Sequence, residues 1–351
     1  MVPTPIFGPV SFTHDVIIVG QGVAGTVLSE VLAARGLRVV IYDVPKEGRA
    51  SHVAAGLVNP IVMRRTIPSW RASEMLAIAG AFYRELEQRY DTRFWNPTEL
   101  VELFPTAKEA GIWRLRMKDP EMGRMLGEGP TSDTAVDELP HPYGYGIVKR
   151  CAWVDVRRLL EAHRERWKGT GDLMEEEVGP GDVHAIGGGR RVHQSTAPAL
   201  VRCEGPRAPG GFLVPVRGEG LTVRIPGLRL KSVVHRGVFL LPIGDDRYRV
   251  GSTFAWDNVW SGPTEEARRW LSDKLERIVQ RPVEVEEHWT GVRPAARDRR
   301  PVLGRIAAHE AILNGLGSRG VLLAPWSAQH LAGHLFDGTA LDPEVDVARF
   351  L

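Results

Sequence analysis

Four consecutive branched apolar residues, Val16-Ile-Ile-Val19, lie between Asp15 and Gly20. An apolar run without polar alternation predicts a strand buried on both faces, as in a parallel sheet. A helix is expected over 23–35, with Leu28, Val31 and Leu32 on its apolar face and Gly36 at the C-terminal cap position. A second run, Val39-Val-Ile-Tyr42, ends at Asp43, giving a compact βαβ beginning. Met75, Leu76, Ala79, Phe82, Tyr83 and Leu86 recur at helical spacing and predict a helix over 73–90. Another is expected over 154–167, with an Arg- and Glu-rich outer face. The stretch 91–145 carries several Pro and Gly and reads as irregular.

From Phe212 the pattern changes. Short runs at 212–216, 221–225, 238–241 and 248–250 are separated by Gly, Pro and Asp, which predicts antiparallel strands with turns. A helix is expected over 264–280. Near the end, Ala311-Ile-Leu-Asn314 precedes a last helix with Pro325 in its first turn, Leu331 and Leu335 on one face and Gly338 at its end. The fold class is α/β: a Rossmann-type unit with a parallel central sheet, plus a second domain with an antiparallel sheet and helices. A length of 351 residues suits two domains.

The 45 basic and 43 acidic residues leave a net charge of +2, too small for a dedicated nucleic-acid or membrane surface. The local clusters Arg64–Arg65 and Arg297, Arg299, Arg300 read as solvated surface. The two cysteines, Cys151 and Cys203, allow no disulfide framework beyond one bridge, and no metal-type spacing occurs. That usage fits a reducing cytoplasm. No apolar run approaches the ~18 residues of a membrane span. Residues 1–14 lack the features of a signal peptide and read as a loose extension.

Gly20-Gln-Gly22-Val23-Ala24-Gly25 is a GxGxxG between strand and helix, and Asp43 follows Gly25 by 18 residues. Gly20 makes the tight turn, Gly22 lets a pyrophosphate approach the backbone, and Gly25 lets the helix pack on the strand. The helix N-terminus offers free N–H groups and a positive dipole end. Asp43 is placed to accept from ribose hydroxyls, and its charge disfavours a 2′-phosphate. A second match, Gly315-Leu-Gly317-Ser318-Arg319-Gly320, cannot open another unit of this kind, because only 31 residues follow it. As a loop feeding a helix N-terminus it is still a site for negative charge.

Together with Ser51-His52-Val-Ala-Ala55-Gly56-Leu57-Val-Asn-Pro60, Pro215-Val-Arg-Gly218 and Gly291-Val-Arg-Pro294, these motifs resemble the D-amino acid oxidase superfamily of FAD enzymes. Its members include glycine oxidase, sarcosine oxidase and the FAD domain of the bifunctional enzyme that modifies wobble uridine in tRNA. The ends of the chain match well. The middle, about 91–200, matches in general character, and Val201-Arg-Cys-Glu-Gly205 departs from the family's usual strand ending.

The resemblance implies FAD as cofactor. Ser51 would bond a phosphate oxygen, and Ala55, Gly56 and Leu57 would lie against the isoalloxazine, with His52 lining the cleft. The loop Gly317, Ser318, Arg319, Gly320 would stabilise charge on the reduced flavin. No cysteine follows Cys203, which argues against cysteinyl flavin attachment. Residues 1–85, 146–208 and 290–351 would form the FAD-binding domain, and 86–145 and 209–289 the substrate domain. The implied reaction is oxidation of a C–N bond in a small amine or amino acid, by hydride transfer to flavin N5, with dioxygen or another acceptor reoxidising the flavin. No catalytic base is nominated. Arg293 is the substrate-side candidate, as a fork for a carboxylate, against the alternative of an ion pair with an acid such as Asp298. Two other functions remain open: an oxidative step on a modified tRNA base, and a flavin-binding protein without catalysis.

Overall fold

The computed structural model describes residues 11–351. Most of the expected N-terminal extension lies outside the described residues.

Two sheets organise the chain. The first has six strands in the order Val302–Ala307, Glu310–Asn314, Ala199–Arg202, Val16–Val19, Val39–Tyr42 and Leu173–Met174. All neighbours are parallel except the hairpin pair Val302–Ala307 and Glu310–Asn314. Val16 stands in register with Val39 on one side and Ala199 on the other. The period of two sorts the side chains by face. Val16, Ile18, Val39 and Ile41 pack with the helices Val23–Ala34, Ala72–Tyr90 and Gly320–Phe336. Ile17, Val19, Val40 and Tyr42 pack on Val192 and Ala197 of a three-stranded sheet over 183–197. Both faces are therefore dry, and each branched side chain contributes on the order of 1.5–3 kcal/mol by burial.

The second sheet is mainly antiparallel. Its order is Glu284–Ala296, Leu213–Arg224, Arg247–Gly251, Phe239–Gly244, Val233–His235, Trp95–Leu103, Tyr145–Val154 and Leu57–Val58, with Leu126–Glu128 also on Tyr145–Val154. Only Val233–His235 and Trp95–Leu103 run parallel. Leu221, Val223 and Val250 form a core with Leu271 and Leu275 of the helix Glu265–Glu276. Gly218 and Gly220 alternate with these residues and face the other way, toward the site.

Three expectations are corrected. The stretch 91–145 is ordered, with the strand Trp95–Leu103 and the helix Ala107–Met117. Thr106 caps that helix: the Glu109 amide donates to Thr106 Oγ1 at 3.3 Å, and that hydroxyl donates to Glu109 Oε2 at 2.8 Å. The runs 212–216 and 221–225 are one strand, Leu213–Arg224. Its glycines are not breaks. A Cβ at Gly218 would stand 2.0 Å from Arg293 Nη2, and one at Gly220 would stand 2.1 Å from the Trp289 ring. The last helix starts at Gly320, so Pro325 is inside it, beyond the first turn. Elsewhere helix bounds move by up to four residues; Asp155 and Thr264, for example, are caps. Cys151 and Cys203 are both free and buried.

Candidate active site

A cleft of about 1190 Å³ runs along the sheets and gathers most of the residues singled out in the sequence. Gly20, Gly22, Val23 and Ala24 line it at the C-terminal end of the first strand. Gly20 has φ +101, and a Cβ there would stand 2.6 Å from the Cys203 carbonyl oxygen. Gly25 does not reach the cleft. A Cβ on it would be 1.9 Å from the Gly20 carbonyl oxygen, so its part is the close packing of helix on strand. Ser51 Oγ accepts from the Val23 amide at 3.1 Å, which brings the hydroxyl to the helix N-terminus. His52, by contrast, is exposed and is not among the cleft-lining residues. His52 therefore does not line the cleft, against expectation.

Asp43 lines the cleft but is 8% exposed and already well bonded. Its Oδ1 accepts from the Gln21 amide at 2.8 Å, Arg49 Nη2 donates to both oxygens at 2.9 Å, and Arg164 Nη1 donates to Oδ2 at 3.1 Å. Of roughly four lone-pair positions, few remain for a ribose. Its charge is also compensated, which weakens the electrostatic case against a 2′-phosphate. Neither arginine stood out in the sequence.

Ala55, Gly56 and Leu57 line the cleft wall. Gly56 has φ +70, and a Cβ there would lie 1.8 Å from the Val154 carbonyl oxygen. The turn is held from the second sheet, where Arg249 donates to the Val53 and Ala54 carbonyls at 2.7 and 2.8 Å. Arg249 lies 4.7 Å above the Trp289 ring, and burial lowers its pKa. Gly317, Ser318, Arg319 and Gly320 form the facing wall. Gly317 has φ +55, and a Cβ would meet nothing closer than Ala295 at 3.9 Å. Arg319 donates to the Asn59 and Ile61 carbonyls at 2.6 and 3.2 Å, and burial pushes its pKa down to about 10.

Arg293 Nη1 donates to the Thr253 carbonyl at 3.0 Å and Nη2 to Ser252 Oγ at 2.7 Å, with the guanidinium 4.3 Å over the Phe254 ring. Asp298 is not its partner, because that carboxylate accepts from Arg349 Nε at 2.7 Å. Burial pushes the Arg293 pKa down to about 10, so it stays cationic at neutral pH. A further pair went unnoticed in the sequence: His235 lines the cleft and hydrogen-bonds through Nδ1 to Glu102, its register partner on the neighbouring parallel strand.

Glycines whose missing side chains open the cleft, a hydroxyl beside helix amides and a long groove fit a dinucleotide. The family model "DAO: FAD dependent oxidoreductase" matches residues 15–333. The chain belongs to the DAO family. It is an FAD-dependent oxidoreductase, and Gly22, Ser51, Gly56 and Gly317 are among the residues that would hold the FAD of this DAO-family chain.

Among curated relatives, glycine oxidase from Pseudomonas aeruginosa is 24% identical over 371 residues, covering 96% of this chain and 98% of that protein. The tRNA 5-methylaminomethyl-2-thiouridine biosynthesis bifunctional protein MnmC of Marinobacter nauticus is 25% identical over 379 residues, covering 94% of this chain. The chain spans 57% of the length of that bifunctional protein. Among solved structures, glycine oxidase from Geobacillus kaustophilus superposes with a TM-score of 0.78 at 22% identity, covering 97% and 98% of the two chains, and shares the fold. Among the described residues of this DAO-family chain, no helix is long and apolar enough to cross a membrane, and no group of His, Cys, Asp and Glu could hold a metal ion.

Proposed function

We propose that the chain oxidises a C–N bond of a small amine that carries a carboxylate, with amino acids and N-substituted glycines as the substrate class. The observation that carries this is Arg293, a half-buried cation on the cleft wall that forms no ion pair among the described residues. A partly desolvated guanidinium without a counter-ion gains from an anion that completes it. Thr253 and Ser252 take one proton from each terminal nitrogen and Phe254 covers a face, which leaves the other N–H groups for a carboxylate.

When bound, FAD supplies the acceptor for the hydride leaving the substrate carbon. The chain's own part is positioning. Fixing the carboxylate at Arg293 orients the Cα–H bond, and Phe239 and Trp289 on the same sheet shield it from water. His235 Nε2 has no protein partner among the described residues and is available to take a proton from an ammonium group, with Glu102 holding Nδ1. In this reading, 1–85, 146–208 and 290–351 form the FAD-binding part and the remainder the substrate part, and the final electron acceptor is dioxygen or another oxidant.

The test is anaerobic bleaching of the bound flavin by a panel of amino acids, N-alkyl glycines and carboxylate-free amines. Reduction by carboxylate-bearing amines supports the reading, and reduction only by carboxylate-free amines overturns it. The similarity to MnmC favours one other reading, action on a modified tRNA base, so modified tRNA belongs in the panel. Full FAD content without reduction by any member would mark a flavin-binding protein that has lost catalysis.

A further inference from the structure

The basic clusters Arg64–Arg65 and Arg297, Arg299, Arg300 are far apart in sequence, yet both line the same cleft. Arg64 and Arg65 sit in the 3₁₀ turn Met63–Arg65, which joins the short strands Ile61–Val62 and Ile67–Pro68. Arg319 ties the base of that hairpin to the C-terminal loop through the Asn59 and Ile61 carbonyls. The hairpin runs on to Trp70, whose ring lies 5.4 Å from the Arg300 guanidinium. The two clusters are thus held to one wall by direct contacts.

Four of these side chains lack a counter-charge. Arg64, Arg65, Arg297 and Arg299 are exposed and form no ion pair among the described residues, and residues 1–10 contain no acid that could supply one. The one acid between them, Asp298, is taken by Arg349 and by the Arg300 amide. Glu344 is taken by Arg300 and Arg71. The fingerprint end of the cleft differs, since there Arg49 meets Asp43 and Lys46 meets Glu177. The cleft is therefore electrically polarised, although the whole chain is close to neutral at +2. Clustered like charges repel, and a cleft with apolar walls focuses their field on whatever enters. Guanidinium groups pair with carboxylate and phosphate oxygens alike.

We propose that this rim is an anion subsite, and that the substrate carries a second anionic group, a carboxylate or a phosphate, besides the carboxylate taken by Arg293. The proposal rests on the reading of Arg293 for the first carboxylate. The division of labour follows from burial. Arg293 is half-buried and fixes orientation, whereas the rim arginines are exposed and confer selectivity and capture, so their contribution is screened by salt.

The experiment compares FAD-loaded wild type with Arg64→Ala/Arg65→Ala and Arg297→Ala/Arg299→Ala. Anaerobic flavin reduction is followed with matched amines: alanine, aspartate and phosphoserine, plus phosphoethanolamine, which has no carboxylate. Inorganic phosphate serves as competitor. In wild type, the doubly anionic substrates half-saturate at about tenfold lower concentration than alanine, as expected for one or two exposed ion pairs, and added salt erodes the difference. In each double variant that ratio collapses toward one and phosphate ceases to compete, while the flavin spectrum is retained. Better use of aspartate than phosphoserine identifies the second group as carboxylate, and the reverse identifies phosphate. A charged-to-neutral ratio equal in wild type and both variants overturns the subsite. The two readings fail separately. If phosphoethanolamine keeps its dependence on the rim while Arg293→Ala changes nothing, the rim stands and the carboxylate role of Arg293 falls. If Arg293→Ala alone acts, the reverse holds.

Discussion

Tyr83 donates its hydroxyl proton to the Val321 carbonyl at 2.9 Å, the carbonyl that Pro325 leaves without an amide inside the last helix. Proline lacks the N–H that would bond four residues back, and Tyr83, on the helix Ala72–Tyr90, supplies the missing donor. Tyr83 is fully buried and stacks on Trp95 with ring centroids 5.6 Å apart. Burial raises its pKa, so the phenol stays protonated and able to donate. Tyr83→Phe keeps the packing and orphans the carbonyl, which should cost about 1–3 kcal/mol. The check is the unfolding midpoint of FAD-saturated protein. No change would show that water or a helix shift replaces the bond.

A second prediction concerns acid. His163 is 0% exposed and stacks on Trp167 with ring centroids 5.4 Å apart. Its Nδ1 accepts from Gln21 Nε2 at 3.1 Å, and its Nε2 bonds Ser29 Oγ at 2.8 Å. Gln21 is held in that orientation because its Oε1 accepts from Arg164 and its Nε2 also donates to the Leu160 carbonyl. Burial pushes the His163 pKa down to about 3, from an ordinary 6.5. Between those values the unfolded state binds a proton that the folded state refuses. Stability should therefore fall as pH drops below 6.5, by up to about 1.4 kcal/mol per pH unit well inside the window. Urea unfolding across this range should show a shallower pH slope for His163→Gln than for wild type. Equal slopes would remove His163 from the acid response.

The central strand, the fingerprint and the antiparallel block were legible because each rests on local pattern: four branched residues, three glycines at fixed spacing, short alternating runs. The strand Trp95–Leu103 was not, because Pro97 argues against a strand. The structure admits Pro97 as an exposed residue opposite Ala152. The helix after it carries a start signal in Thr106 followed by Glu109. The merging of two strands across Gly218 and Gly220 was hidden in principle. Those glycines answer to Arg293 and Trp289, about 70 residues away, and no local rule reports a contact at that range. The same limit explains Arg49, Arg164, Arg249 and the His235–Glu102 pair. Each acts through a tertiary contact, so each read as an ordinary charge.

Asp43 tests the fingerprint. The ion cluster gives it a structural part, since Arg49 and Arg164 are only 17% and 21% exposed in their side chains. Asp43→Ala should cost about 1–3 kcal/mol of stability in FAD-free protein by stranding these cations, and should weaken FAD binding as well. Arg49→Ala separates the effects, because it relaxes the cluster while keeping the carboxylate. If Asp43→Ala lowers stability but FAD titration gives an unchanged affinity, its role is structural alone.

Two glycines of the cleft wall, Gly56 and Gly317, should fail differently. Gly56→Ala meets the Val154 carbonyl and a left-handed φ together, so it should destabilise the protein by several kcal/mol whether or not FAD is present. At Gly317 a Cβ finds protein atoms only at 3.9 Å, so the internal cost is the strain of φ +55, about 1–2 kcal/mol. Gly317→Ala should therefore act mainly through the cleft, lowering FAD content or changing the flavin spectrum more than it lowers the melting temperature of FAD-free protein. Unaltered flavin content and spectrum would place this loop away from the cofactor.

Arg293 carries the functional reading and admits the sharpest test. Arg293→Lys keeps the charge but loses the fork that grips Ser252 and the Thr253 carbonyl, so the ammonium should orient a carboxylate poorly. Arg293→Ala removes the charge as well. If the guanidinium takes the substrate carboxylate, Arg293→Ala should raise KM for amino acids by about 10–100-fold, the equivalent of a charge-assisted hydrogen bond or two. Amines without a carboxylate should be spared. The pH dependence follows from burial. With its pKa at about 10, Arg293 is charged across the neutral range, so it should impose no titration on amino acid affinity there and a loss only as pH climbs through that value. The sign is opposite for stability: the cost of burying the cation is present at neutral pH and is relieved as the group deprotonates. Equal losses toward both amine classes, together with a lower melting temperature, would instead assign Arg293 to holding the segment Ser252–Phe254 in place.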